Sequence, residues 1–161
     1  MVEKKDYYGK IANQINDMIP NDWKIVYYLG EVENGKKSWS SVFYFVTGDG
    51  KVIKSHLIPQ EFSVSEGIYE SLLSELNDML LEFYDVNLSE GREPWEQFSM
   101  RVENNGEFHA EYSYDAISGS DFSQAKREVI WAHTMFGQIP DSKYLKKVLD
   151  DYLLTKRNEQ G

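Results

Sequence analysis

Residues 96–114 read EQFSMRVENNGEFHAEYSY. On either side of the Asn-Asn-Gly centre, large apolar side chains alternate with polar ones, the period of a strand with one dry and one wet face. A two-residue Asn105-Gly106 turn would set Val102 against His109 and bring buried positions opposite exposed ones, which a period of two forbids. A three-residue loop, Asn104-Asn105-Gly106 with glycine in the left-handed conformation, instead pairs Val102 with Phe108, Met100 with Ala110 and Phe98 with Tyr112. This hairpin therefore belongs to an antiparallel sheet packed on one side.

Upstream, WKIVYYLGEVE (23–33) and SWSSVFYFVT (38–47) are rich in aromatic and β-branched residues and read as strands. KVIKSHL (51–57) reads as a short third strand across the Gly48-Asp49-Gly50 turn. Tyr27-Tyr28-Leu29 and Phe43-Tyr44-Phe45 are apolar on both sides, so these two strands are expected to be central or covered on both faces. Ahead of them, Tyr8, Ile11, Ile15, Met18 and Ile19 mark one face of a helix that Pro20 must stop. After the hairpin, Ser120 or Asp121 is placed to cap a helix closed by Gly137 and Pro140. Asp141 opens a last helix with Tyr144, Leu145, Val148, Leu149 and Tyr152 on one stripe. The order is α-β-β-β-α-β-β-α-α: an α+β fold around an antiparallel sheet of about five strands. At 161 residues it is expected to be a single domain over 1–161.

The central helix is the unusual element. SVSEGIYESLLSELNDMLLEFYD (63–85) contains no lysine or arginine. Ser63 and Glu66 have capping-box spacing. At helical periodicity Ile68, Tyr69, Leu72, Leu73, Leu76, Met79, Leu80 and Phe83 share one side. Glu66, Glu70, Glu75, Asp78, Glu82 and Asp85 share the other. The net charge of −10 is concentrated here, since residues 61–96 carry ten acids and one base, Arg92. Glu66/Glu70 and Asp78/Glu82 are like-charge pairs four residues apart, each costing about 0.2–0.5 kcal/mol. A solvated face would be equally soluble with lysine at half of these positions. Such a surface opposes direct nucleic-acid binding, which needs clustered cations, and favours a basic partner.

A search for catalytic chemistry returns little. The chain has no cysteine, so disulfides, thiol catalysis and cysteine-based zinc sites are excluded. His109 and Glu111 share the wet hairpin face, but two ligands are too few for a metal site. Ser118-Gly119-Ser120 reads as a loop, and Gly48-x-Gly50 as a turn lacking the third glycine of a phosphate cradle. Trp23, Trp39, Trp95 and Trp131 are expected to serve packing rather than ligand stacking. No cofactor is called for, and no stretch approaches the length of an apolar membrane span. These residues describe a protein without enzymatic equipment.

Three further stretches carry a family likeness. A helix runs into Met18-Ile19-Pro20, with Trp23 and the strand opening KIVYY. IPQEFSV (58–64) leads into the long central helix. An isolated Trp95 precedes the hairpin, and a later helix ends FGQIP (136–140). In this the chain resembles the YezG-like immunity proteins, the antitoxins of LXG-type polymorphic toxins, over about residues 10 to 141. The resemblance implies a cytoplasmic protein that neutralises a cognate toxin, often a nuclease, before a type VII-like machinery exports it. It implies no catalytic residues and does not say where the toxin sits. In its light Pro20 and Pro59 are expected to break elements, Trp23 to seed the core and Gly137 to cap. The acidic ridge becomes the expected toxin-binding surface, with Tyr84 and Trp95 as its anchors, and the basic cleft of a nuclease as its target. The competing surface is the wet hairpin face around Arg101, His109 and Glu111. A small ligand-binding or enzymatic α+β domain, and a chaperone-like adaptor for an exported substrate, are the alternative functions. The oligomeric state is not specified by the sequence.

Overall fold

The hairpin pairs as its alternation requires: Val102 faces Phe108, Met100 faces Ala110 and Phe98 faces Tyr112. Gly106 has φ of 92°, the left-handed region that only glycine enters without strain. Its strands are β4, Gln97–Glu103, and β5, Phe108–Ser113. The structure, a computed structural model, describes residues 4–33, 35–114 and 122–160. The chain divides into two compact units, Met1–Ser118 and Gly119–Gly161.

In the first unit, β1 (Trp23–Glu33) lies at the centre of a five-stranded sheet. β2 (Ser38–Thr47) and β4 flank it, with β3 (Val52–Lys54) beyond β2 and β5 beyond β4, every pairing antiparallel. Register places Val26, Tyr28 and Gly30 beside Phe45, Phe43 and Ser41 on one flank, and beside Val102, Met100 and Phe98 on the other. This face is covered by α1 (Lys4–Met18) and α3 (Glu66–Ser89). Tyr7 stacks on Phe83 at 5.3 Å, and Phe83 meets Phe98 edge-on at 5.2 Å, tying both helices to the sheet. The deepest residue of α1 at its start is Tyr7, with Tyr8 only half buried at the margin. Leu29, Val42 and Tyr44, on the opposite sheet face, are buried as well, as the doubly apolar runs suggest.

Several local expectations need correction. The third strand stops at Lys54; a single 3₁₀ turn, Ser55–Leu57, and a one-turn helix α2, Ile58–Phe62, follow. Pro59 sits in the first turn of α2, where its missing N–H is no loss, so it opens an element rather than breaking one. Ser63 does not cap α3. It ends α2 in the left-handed conformation, with φ of 54°, and Ser65 is the cap, accepting the Ile68 N–H. The turn that reverses α2 into α3 consumes the residue a capping box would need. Ile68 is 58% exposed instead of packed, and its neighbour Tyr69 takes the buried position at the start of α3. Trp39 is also largely exposed, whereas Trp95 is core, Trp23 packs against the core's edge and Trp131 lies edge-on to Phe136.

The second unit contains α4, Gln124–Phe136, and α5, Lys143–Gln160, which pack on each other. Ser120 and Asp121 lie outside the described residues, as does the Ser118-Gly119-Ser120 stretch. The cap of α4 is Ser123, which accepts the Lys126 N–H, and Gly137 ends the helix left-handed at φ of 75°. Ser142 rather than Asp141 caps α5, accepting the Leu145 N–H at 3.3 Å. Leu149 is buried in the expected stripe, but Tyr144, in the first turn, is exposed.

Candidate functional site

Helix α3 spans 24 residues with one side on the sheet. Tyr69, Leu76, Leu80, Phe83, Tyr84 and Asn87 are its buried residues. Gly30 of β1 lets it descend: a methyl at that position would lie 2.6 Å from Leu80 Cδ1 and 2.8 Å from the Tyr28 hydroxyl. The opposite side carries Glu66, Glu70, Glu75, Asp78, Glu82 and Asp85, all exposed. The helix brings the six carboxylates together along one continuous ridge.

The ridge is not uniform. Lys36, from the β1–β2 turn, pairs with Asp85 at 2.9 Å. Gln14 of α1 donates to Glu75 at 3.2 Å and to the Leu72 carbonyl at 2.9 Å. The pKa of Tyr7 is raised, first by burial and then by the neighbouring Glu82 carboxylate. Glu66, Glu70 and Asp78 form no ion pair among the described residues. They are the uncompensated part of the surface, and an exposed pair such as Lys36–Asp85 is worth at most about 1 kcal/mol. Lys36, Gln14 and Tyr7 come from other elements, so the helix's own sequence gave no sign of them. Gln14, polar within an apolar stripe, was the one detectable signal.

The two anchor candidates are not surface groups. Tyr84 is 3% exposed and Trp95 is 0% exposed, and their rings meet edge-on at 5.3 Å. The loop returning from α3 folds over the helix end: Asn87 donates to the Glu93 carbonyl at 3.0 Å and accepts the Arg92 N–H. That closure turns Trp95 inward onto Phe83 and Phe98. Both aromatics build the platform beneath the ridge and cannot contact a partner without unpacking.

On the hairpin's wet face, His109 and Glu111 are hydrogen-bonded at 3.0 Å and both well exposed. Among the described residues no three of His, Asp or Glu are grouped to hold a metal ion. Also among the described residues, no helix is long and apolar enough to cross a membrane.

These features define a small α+β protein whose distinguishing surface is an electrostatic ridge on a rigid, aromatic-backed helix. The family model for YezG-like immunity proteins matches residues 4–150, and the chain belongs to that family. It is 33% identical over 155 residues to Immunity protein YezG of Bacillus spizizenii, covering 96% of this chain and 95% of that protein. The Bacillus subtilis Immunity protein YezG is 29% identical over 150 residues, 92% of this chain and 98% of its own length. The type VII secretion system protein EsaG of Staphylococcus aureus is 29% identical over 139 residues, 85% of this chain and 83% of its own.

Proposed function

We propose that this protein is an immunity protein that binds a cognate toxin made in the same cell and silences it by stoichiometric protein–protein contact. The observation that carries this reading is the family match over residues 4–150, which runs through both compact units and supports one functional domain. The toxin we assign is a secreted LXG-type nuclease, met in the cytoplasm before export. The type VII secretion name of the staphylococcal relative supports the export route. The unpaired charge of Glu66, Glu70 and Asp78 supports a basic target. A ridge of this kind speeds encounter and rejects wrong partners more than it sets affinity. No catalysis is assigned to the chain itself.

The reading is tested by expressing the LXG toxin encoded beside this gene, alone and together with this protein, in cells that lack both. The expected result is loss of viability with the toxin alone, full rescue on co-expression, and recovery of the two chains as one complex. Toxicity undiminished by co-expression would reject the function. Rescue without any complex would reject the mechanism.

A further inference from the structure

Strand β5 ends the sheet, with β4 as its one neighbour among the described residues. The Glu103 N–H donates to the Glu107 carbonyl at 2.8 Å. Counting by twos along the antiparallel ladder, His109 and Glu111 also turn their backbone groups towards β4. Phe108 and Ala110 therefore turn theirs outward, where they form no hydrogen bond among the described residues. Such an edge is a template for another strand, and folded chains usually blunt it with shortness, proline, lysine or a bulge. β3, at the other end of the sheet, is three residues long and finishes in Lys54. β5 has six residues, none of them proline or lysine, and its register with β4 runs unbroken from Phe108 to Ser113.

The side chains of β5 select the strand that fits. On the wet face His109 and Glu111 are both 61% exposed, a base and an acid two residues apart. On the other face Phe108 is 50% exposed, a large apolar ring left half in water. A second copy of β5, antiparallel and related by a two-fold axis at Ala110, matches this pattern. Ala110 then exchanges two backbone hydrogen bonds with Ala110 of the second copy. His109 of each copy lies opposite Glu111 of the other, and Phe108 lies opposite Tyr112. Arg101, beside His109 on β4, adds positive charge to the row that receives Glu111 of the second copy. Moving the axis to His109 would set histidine against histidine and Glu111 against Glu107. Moving it to Glu111 would set glutamate against glutamate, and like charges directly opposite destabilise a sheet. An axis nearer either end of β5 leaves part of each strand without a partner.

We propose that β5 pairs with β5 of a second copy of this chain about a two-fold axis at Ala110, joining two five-stranded sheets into one. The net charge of −10 on each copy opposes association, but most of it lies on the ridge. Helix α3 packs chiefly on β1 and β2, at least two strand spacings, about 10 Å, from β5. The two ridges are thus set apart by more than the Debye length of about 8 Å at physiological ionic strength. The proposal goes beyond the immunity reading and does not depend on it.

Sedimentation equilibrium of the whole protein, over a series from micromolar to millimolar, should show reversible association to twice the chain mass. A chain that stays monomeric, whether its β5 edge is left bare or taken by a strand of another protein, overturns the proposal. Ala110→Pro deletes an outward N–H and leaves the ladder to β4 intact, so it should keep the wild-type circular dichroism spectrum and remain monomeric. Two exposed substitutions carry the same test should that proline unfold the strand. Glu111→Lys places lysine opposite His109, and His109→Glu places glutamate opposite Glu111. Each alone should weaken self-association by about tenfold. An equimolar mixture of the two variants should recover a mixed dimer, because each introduced charge then meets an opposite one. A dimer unchanged in both variants, or a mixture no tighter than either variant alone, overturns the proposal by placing the contact elsewhere.

Discussion

Leu80 rests directly on Gly30: a methyl placed on the glycine would come within 2.6 Å of Leu80 Cδ1. This contact sets the depth at which α3 packs on the sheet, and with it the height of the acidic ridge. Leu80 is fully buried and the nearby Tyr28 hydroxyl is held by Ser41 at 2.8 Å, so neither neighbour can swing away freely. Gly30→Ala should destabilise the fold by about 1–3 kcal/mol through overpacking. Urea melts of the purified variant measure this. A change below a few tenths of a kcal/mol would show that the helix can ride up without loss.

The junction between α2 and α3 predicts two substitutions of opposite sign. Ser65→Ala removes the side-chain acceptor for the Ile68 N–H and should cost about 1 kcal/mol. Ser63→Gly places glycine where the backbone is already left-handed and should stabilise by up to about 1 kcal/mol. The reverse order in thermal melts would restore Ser63 as the helix cap.

Alkaline pH should unfold the protein by linkage. Burial raises the pKa of Tyr28, fully inside the sheet–helix interface, and that of Tyr112, whose hydroxyl is also bonded to Tyr8. An unfolded tyrosine ionises near its ordinary value of 10.0, while the folded ones hold their protons. Above that pH the unfolded state binds fewer protons, so stability falls as pH rises; below it the contribution is fully present. Following phenolate absorbance and circular dichroism together should show late ionisation coincident with unfolding. Tyr28→Phe should flatten the loss. Smooth ionisation of every tyrosine near the ordinary value in a folded chain would refute the burial of Tyr28.

The ridge makes a kinetic prediction. Glu70→Lys with Asp78→Lys changes two exposed carboxylates that hold no ion pair among the described residues and leaves Leu76, Leu80 and Phe83 untouched. Association with the toxin domain should slow by about tenfold at low salt, with the difference shrinking as ionic strength rises. Melting should be unchanged. Stopped-flow traces at two salt concentrations provide the measurement, and equal rates would reduce the ridge to a solvated surface.

Much of the architecture was legible because its determinants are local. The alternation of Phe98, Met100 and Val102 against Phe108, Ala110 and Tyr112 admits one register, and Gly106 supplies the turn that fits it. The acidic and apolar sides of α3 follow from helical spacing alone. The misreadings arose where a distant or competing contact decides. Ser63 satisfies a capping pattern, yet the chain needs it for the turn out of α2. Tyr84 lies 18 residues after Glu66, about five turns along, and so falls on the acidic side of an ideal helix. Only the return loop, folding Trp95 over the helix end, buries both rings.

The proposed stoichiometric inhibition of a nuclease toxin is tested most directly by titrating this protein into a fixed amount of the domain proposed to be the nuclease and measuring DNA cleavage. The account predicts a linear fall to zero with a sharp break at one whole-number molar ratio, the same ratio found in the isolated complex. Cleavage that persists at several-fold molar excess would contradict it.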